Sequence, residues 1–209
     1  MRKTILLLVI CFSIAGILQA QESKQAQDKK ASQETKQSPD DIPKTALVLI
    51  DIQAFYFDTT KAPLTGRYEA SEKSAAILKH FRETGQEVIH IMHKGGGDIH
   101  EYVKPLPGET VFVKEHVSCF RETPLLGHLQ ENEVERLVIV GMMTHMCVEA
   151  ATRSADDLGF QTVLIHDACA TRDLKYDDEV VAAKDVHLST LSTLRAYAEV
   201  QSTADFLGE

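Results

Sequence analysis

Apolar residues between positions 45 and 201 fall into short continuous runs, separated by stretches with helical spacing. Residues 45–51 (T-A-L-V-L-I-D) form an unbroken apolar run ended by an acid, the pattern of a strand buried on both faces. Similar runs predict strands over 87–93, 110–113, 136–141 and 161–167, with a last short strand over 199–202. Ala75, Ala76, Leu78 and Phe81 recur at helical spacing, so 67–84 reads as a helix stopped by Gly85. Further helices are predicted over 124–130, 145–158 and 178–197, the second closed by Gly159. Residues 94–108 hold a glycine triplet and two prolines and read as a surface loop.

Strands that alternate with helices imply the α/β class: a three-layer α/β/α protein with a mostly parallel sheet of about six strands and Rossmann-like topology. Sites in such sheets form outside the carboxyl ends of the strands. That rule gathers Asp51, His93, Lys114, Cys147 and Asp167 along one edge. An acid, an amine and a thiol there make a coherent set. A carboxylate can take the thiol proton and an ammonium can stabilise the thiolate.

Cys147 lies in V-I-V-G-M-M-T-H-M-C-V (138–148), where an apolar strand stops at Gly141 and a helical pattern follows. A thiol at a helix N-terminus meets unpaired backbone N–H groups and the positive end of the dipole, so a lowered pKa is expected. The segment alone leaves a second reading open, a small apolar side chain on the core side of a helix.

The ends of the chain refine the picture. Arg2 and Lys3 precede a mostly apolar stretch over 5–18, and Ala20 precedes Gln21, so 1–20 reads as a signal peptide. Export to the periplasm or secretion is therefore expected. The apolar stretch is shorter than the ~20 residues a spanning helix needs, so no membrane attachment is expected after cleavage. Residues 21–44 carry almost no large apolar side chains and read as a flexible polar tether, leaving 45–209 as one folded domain. The net charge of -9 divides into +2 over 1–20, none over 21–44, and -11 over the domain. Such an acidic domain is a poor partner for nucleic acid and favours a small neutral or cationic substrate. Three cysteines remain after cleavage, Cys119, Cys147 and Cys169, so at least one is free. Whether Cys119 and Cys169 pair stays open.

Four ordered motifs then carry a resemblance. L-V-L-I-D-I-Q (47–53), V-F-V-K-E-H-V-S-C-F (111–120), V-G-M-M-T-H-M-C-V (140–148) and H-D-A-C-A-T-R-D (166–173) resemble the isochorismatase-like cysteine hydrolase superfamily, across essentially all of 45–202. The resemblance implies a catalytic triad of Asp51, Lys114 and Cys147. It implies a cis peptide between Met142 and Met143, turning N–H groups near Met143 and Cys147 toward an oxyanion hole. It also implies an amidohydrolase that cleaves a small-molecule C–N bond through a thioester, and assembly into a homo-oligomer.

Nicotinamidase-type relatives hold a metal through an Asp-x-His pair near the first strand, whereas this chain has Asp51-Ile52-Gln53-Ala54 there. His90 and His93 lie three apart on a predicted strand and point to opposite faces, so no metal and no cofactor are expected. Asp98-Ile99-His100, in the glycine-rich loop, is a further candidate. Gln53, Tyr56, His93, His116 and His145 are the expected pocket residues. Asp167 and Arg172 are expected to organise the loop after the fifth strand, and His187 to pack or lie in an interface. Two other functions fit the same chain. One is vinyl-ether hydrolysis on this fold, which does not require the cysteine; the other is a non-hydrolytic redox role for Cys147.

Overall fold

A computed structural model describes residues 42–61 and 63–209. The expected signal peptide and residues 21–41 of the tether lie outside the described residues. Six strands form one parallel sheet: β1 (Thr45–Ile50), β2 (Glu87–His93), β3 (Thr110–Lys114), β4 (Arg136–Met142), β5 (Gln161–Ala170) and β8 (Glu199–Gln201). Their order is β3-β2-β1-β4-β5-β8, and every neighbouring pair is parallel.

Period-two alternation explains why the strands read as continuous apolar runs. Ala46, Val48 and Ile50 of β1 enter one apolar cluster, and Leu47 and Leu49 enter the other. Helices α2 (Leu125–Glu131), α3 (Glu149–Asp157) and α4 (Ala183–Leu194) cover the first face through Leu125, Leu129, Ala151, Ala155, Leu191 and Leu194. Helix α1 (Arg67–Thr84) covers the second face through Ala70, Ile77, Leu78 and Phe81, joined by Phe206 and Leu207 of α5 (Thr203–Leu207). The result is the expected three layers.

Three local departures from the sequence reading have physical reasons. First, the fifth strand does not stop at the acid. Its register against β4 jumps from Ile139↔Leu164 to Gly141↔Cys169, so residues between bulge out and β5 continues to Ala170. Asp167, inside that bulge, accepts from the Thr203 N–H and hydroxyl at 2.8 Å each. It anchors α5, an element not expected from the sequence, rather than the loop after the strand. Second, the predicted helix over 178–197 begins later. Residues before it form an antiparallel hairpin of β6 (Leu174–Tyr176) and β7 (Glu179–Val181), turned at Asp177 with φ 52°. Asp173 Oδ1 accepts from Ala183 N at 2.7 Å and sets the helix start there. Third, residues Thr144–Val148 form a π-helical turn before α3, so Cys147 precedes that helix instead of opening it.

Gly141 fixes how closely β4 approaches β1. Its φ is 132°, and a Cβ there would sit 2.1 Å from the Ile50 carbonyl oxygen. Only glycine lets the two strands stay paired just before both chains enter the site.

Candidate active site

The strand order reverses direction between β1 and β4, and the crevice at such a switch point is where parallel sheets bind ligands. Asp51 follows β1 on one side of it, and Cys147 follows β4 on the other. Lys114 ends β3, two strands away from β1, a gap of roughly 10 Å that only a long side chain can help close. The lysine reaches both partners. Its Nζ lies 2.7 Å from Asp51 Oδ2 and 3.2 Å from Cys147 Sγ, and it donates to the His116 carbonyl at 3.1 Å. Asp51, Lys114 and Cys147 are all buried. Asp51 holds a left-handed backbone, φ 50°, an uncommon conformation that Asp tolerates better than most residues. Its N–H donates to Ile91 at 3.0 Å and its carbonyl accepts from Gln53 at 2.9 Å, so neighbouring backbone enforces the turn.

Burial dominates the electrostatics. It raises the Asp51 carboxyl above its ordinary value, and the Lys114 ammonium opposes the shift without reversing it. Burial followed by the Asp51 charge pushes the Cys147 thiol up to about 12, against the pull of Lys114. The shift runs opposite to the lowering expected from a helix N-terminus, because desolvation and then the Asp51 charge outweigh the pull of Lys114. The Met142–Met143 peptide bond is cis and leads directly into the turn that carries Cys147.

Gln53, Tyr56 and His93 line one cavity of about 270 Å³ with Phe55, Lys94, Gly95 and Gly96. Gln53 has a second task. Its Nε2 donates to the carbonyls of His93 (3.2 Å) and Gly97 (2.6 Å), and its Oε1 accepts from His93 N at 2.8 Å. Its amide thus pegs the glycine loop, and a Cβ on Gly96 would lie 2.7 Å from Gln53 Nε2. The Tyr56 phenol is pushed up by burial and then by the charges of Cys147 and Asp51. His116 gives the site its carbonyl, while its ring contacts Glu122 at 2.8 Å. The His145 ring bonds Thr171 Oγ1 at 2.5 Å.

A second cavity of about 180 Å³ is lined by Thr65, Thr171, Lys184 and His187, with Cys169, Ala170 and Ala183. No motif marks it in the sequence, because its walls come from three separate segments. His187 packs on the turn that carries Cys147: its Nδ1 pairs with Thr144 Oγ1 at 3.0 Å. Metal donors do not converge. His90 is buried against Glu109 at 3.0 Å, and His100 stacks on Phe57 at 3.6 Å between ring centres. Among the described residues, no three His, Cys, Asp or Glu side chains group as a metal site. Cys119, Cys147 and Cys169 are all free and buried.

Comparisons with known proteins agree with this architecture. The isochorismatase domain matches residues 45–205. An uncharacterized isochorismatase family protein of Bacillus subtilis, YddQ, is 42% identical over 78% of this chain and 98% of its own. A solved structure from Oleispira antarctica, assigned to the isochorismatase hydrolases, has a TM-score of 0.76 and 40% identity, covering 80% of this chain and 97% of that one. Among more distant relatives, streptothricin hydrolase of Streptomyces noursei is 32% identical over 62% of this chain and 50% of its own. Maleamate amidohydrolase of Pseudomonas putida is 28% identical over 62% of this chain and 73% of its own. With its family match across the whole sheet and its carboxyl-edge crevice, this chain belongs to the isochorismatase-like hydrolases.

Proposed function

We propose that the protein is a cysteine-dependent amidohydrolase acting on a small molecule. The observation that carries this reading is the Lys114 ammonium held within 2.7 Å of the Asp51 carboxylate and 3.2 Å of the Cys147 thiol in a buried crevice. Two relatives, a streptothricin hydrolase and a maleamate amidohydrolase, support the hydrolytic class.

Burial raises the Cys147 thiol, so Asp51 acts as general base at the moment of attack. The carboxylate takes the Cys147 proton while sulfur bonds to the amide carbon and the carbonyl pair moves onto oxygen. Backbone N–H groups of the turn from Met143 to Cys147 receive that oxyanion. As the carbonyl re-forms, the C–N bond breaks and Asp51 returns the proton to the leaving nitrogen, leaving a thioester. Asp51 then takes a proton from water, whose oxygen attacks the thioester; the acid departs and the proton returns to Cys147. Lys114 stays charged throughout and favours both the carboxylate and the developing thiolate.

Intact mass after brief exposure to a panel of small amides tests the reading. An acyl adduct on the wild type, absent in Cys147→Ala, is expected. The same substitution should lower turnover by at least about a thousandfold with the fold intact. Turnover that survives in Cys147→Ala ends the proposal.

A further inference from the structure

The turn that carries Cys147 has few bonds of its own. The Met143 carbonyl accepts from Met146 N at 3.0 Å and from Val148 N at 3.3 Å, the second across five residues. Such π-helical turns are rare and occur mostly as single turns at functional sites. Two side chains of the turn reach outside it. Thr144, at its first position, pairs its Oγ1 with His187 Nδ1 at 3.0 Å, and His145 bonds Thr171 Oγ1.

The two anchors differ in what could replace them. His145 is only half-buried, so water can reach its side. Thr144 is fully buried, and a hydroxyl shut away from solvent depends on the partner it has. That partner is itself well fixed. His187 lies one turn into α4, whose start is set by Asp173 Oδ1 accepting from Ala183 N at 2.7 Å. Val186, Leu191 and Leu194 bury the same helix against the domain. Burial, followed by the His166 charge, lowers the His187 ring below its ordinary value, so near neutral pH an uncharged imidazole faces the hydroxyl.

We infer that His187 is a positioning residue for the reaction: through Thr144 it sets where the turn presents Cys147 Sγ and the backbone N–H groups. Thr144 and Cys147 share one turn, and Sγ has a close contact to keep, 3.2 Å from Lys114 Nζ. A misplacement of about 1 Å at a reacting atom can cost roughly a hundredfold in rate. A histidine that only packed would lose stability when replaced, without a selective loss of kcat.

Thr144→Val and His187→Leu remove the bond from either side with apolar side chains of similar size. Each is expected to lower kcat roughly ten- to a hundredfold with KM little changed. His187→Asn, whose amide can take the Nδ1 position, keeps most of kcat. The double variant Thr144→Val/His187→Leu loses no more than either single one, as residues acting through one contact do. These kinetic readouts rest on the hydrolytic reading; labelling of Cys147 by iodoacetamide, followed by peptide mass, needs no substrate. Its rate departs from wild type in Thr144→Val and His187→Leu together, and returns in His187→Asn. Wild-type kcat and labelling in Thr144→Val, additive losses in the double variant, or a loss in His187→Asn equal to that in His187→Leu each overturn the positioning role. Labelling that follows the bond while no amide is turned over upholds the role and counts against the hydrolytic reading instead.

Discussion

At the scale of single residues, the site is a contest between burial and one lysine. Burial raises Asp51 and Lys114 only partly offsets it, so the carboxylate is lost as pH falls through a value above the ordinary 3.8. A base must be ionised to work, and kcat/KM should therefore show an acid limb above pH 3.8 that is absent from residual activity in Asp51→Asn. A limb at or below 3.8 contradicts the assignment. The same shift has the opposite sense for stability. With the folded value raised, this group's contribution is largest below 3.8 and declines as pH rises through the raised value. Asp51, Lys114 and Cys147 were legible in the sequence because each closes or follows an apolar run. The state of the thiol was not, since helix position says nothing of how deeply Cys147 is desolvated or that Asp51 faces it.

At the scale of elements, glycines set the two close approaches that shape the crevice. In Gly141→Ala, the methyl would meet the Ile50 carbonyl at 2.1 Å from a φ of 132°, so β1 and β4 must separate. A loss of order 3 kcal/mol or more is expected by denaturant unfolding, with activity falling in parallel. Gly96→Ala differs. Its methyl strikes the Gln53 amide, which holds the loop and lines the cavity, so KM should rise with little change in stability. Equal KM values in Gly96→Ala and wild type would remove Gln53 from the loop's support. The alternation of β1 to β4 was readable because both faces are apolar. The hairpin before α4 was not: Tyr176, Val180 and Val181 are exposed, so no burial pattern marks them, and a left-handed Asp177 makes the turn. Likewise the bulge in β5 depends on register against β4, which no single strand encodes.

At the scale of the whole molecule, stability and chemistry sit at opposite ends of the sheet. Glu109, just before β3, accepts from Arg82 at 2.7 and 2.8 Å, from Leu106 N at 2.8 Å, and contacts His90 at 3.0 Å. Burial pushes its carboxyl up, but these partners together hold it at about 2 instead of 4.5. The stabilisation is complete above pH 4.5 and is lost as pH falls toward 2, the reverse of Asp51. Glu109→Gln should thus cost about 2 kcal/mol at neutral pH and much less near pH 2, as urea midpoints at both values would show. A pH-independent loss contradicts the charge assignment. Because Cys119, Cys147 and Cys169 are all free, added reductant should leave the melting temperature unchanged. The protonated, buried thiol has one more effect, felt between turnovers. Peroxide and alkylating agents consume thiolates, and burial of Cys147 disfavours that form. Iodoacetamide should label Cys147 slowly in the resting protein. Under the proposed mechanism, such a thiol stays chemically silent until a substrate reaches it.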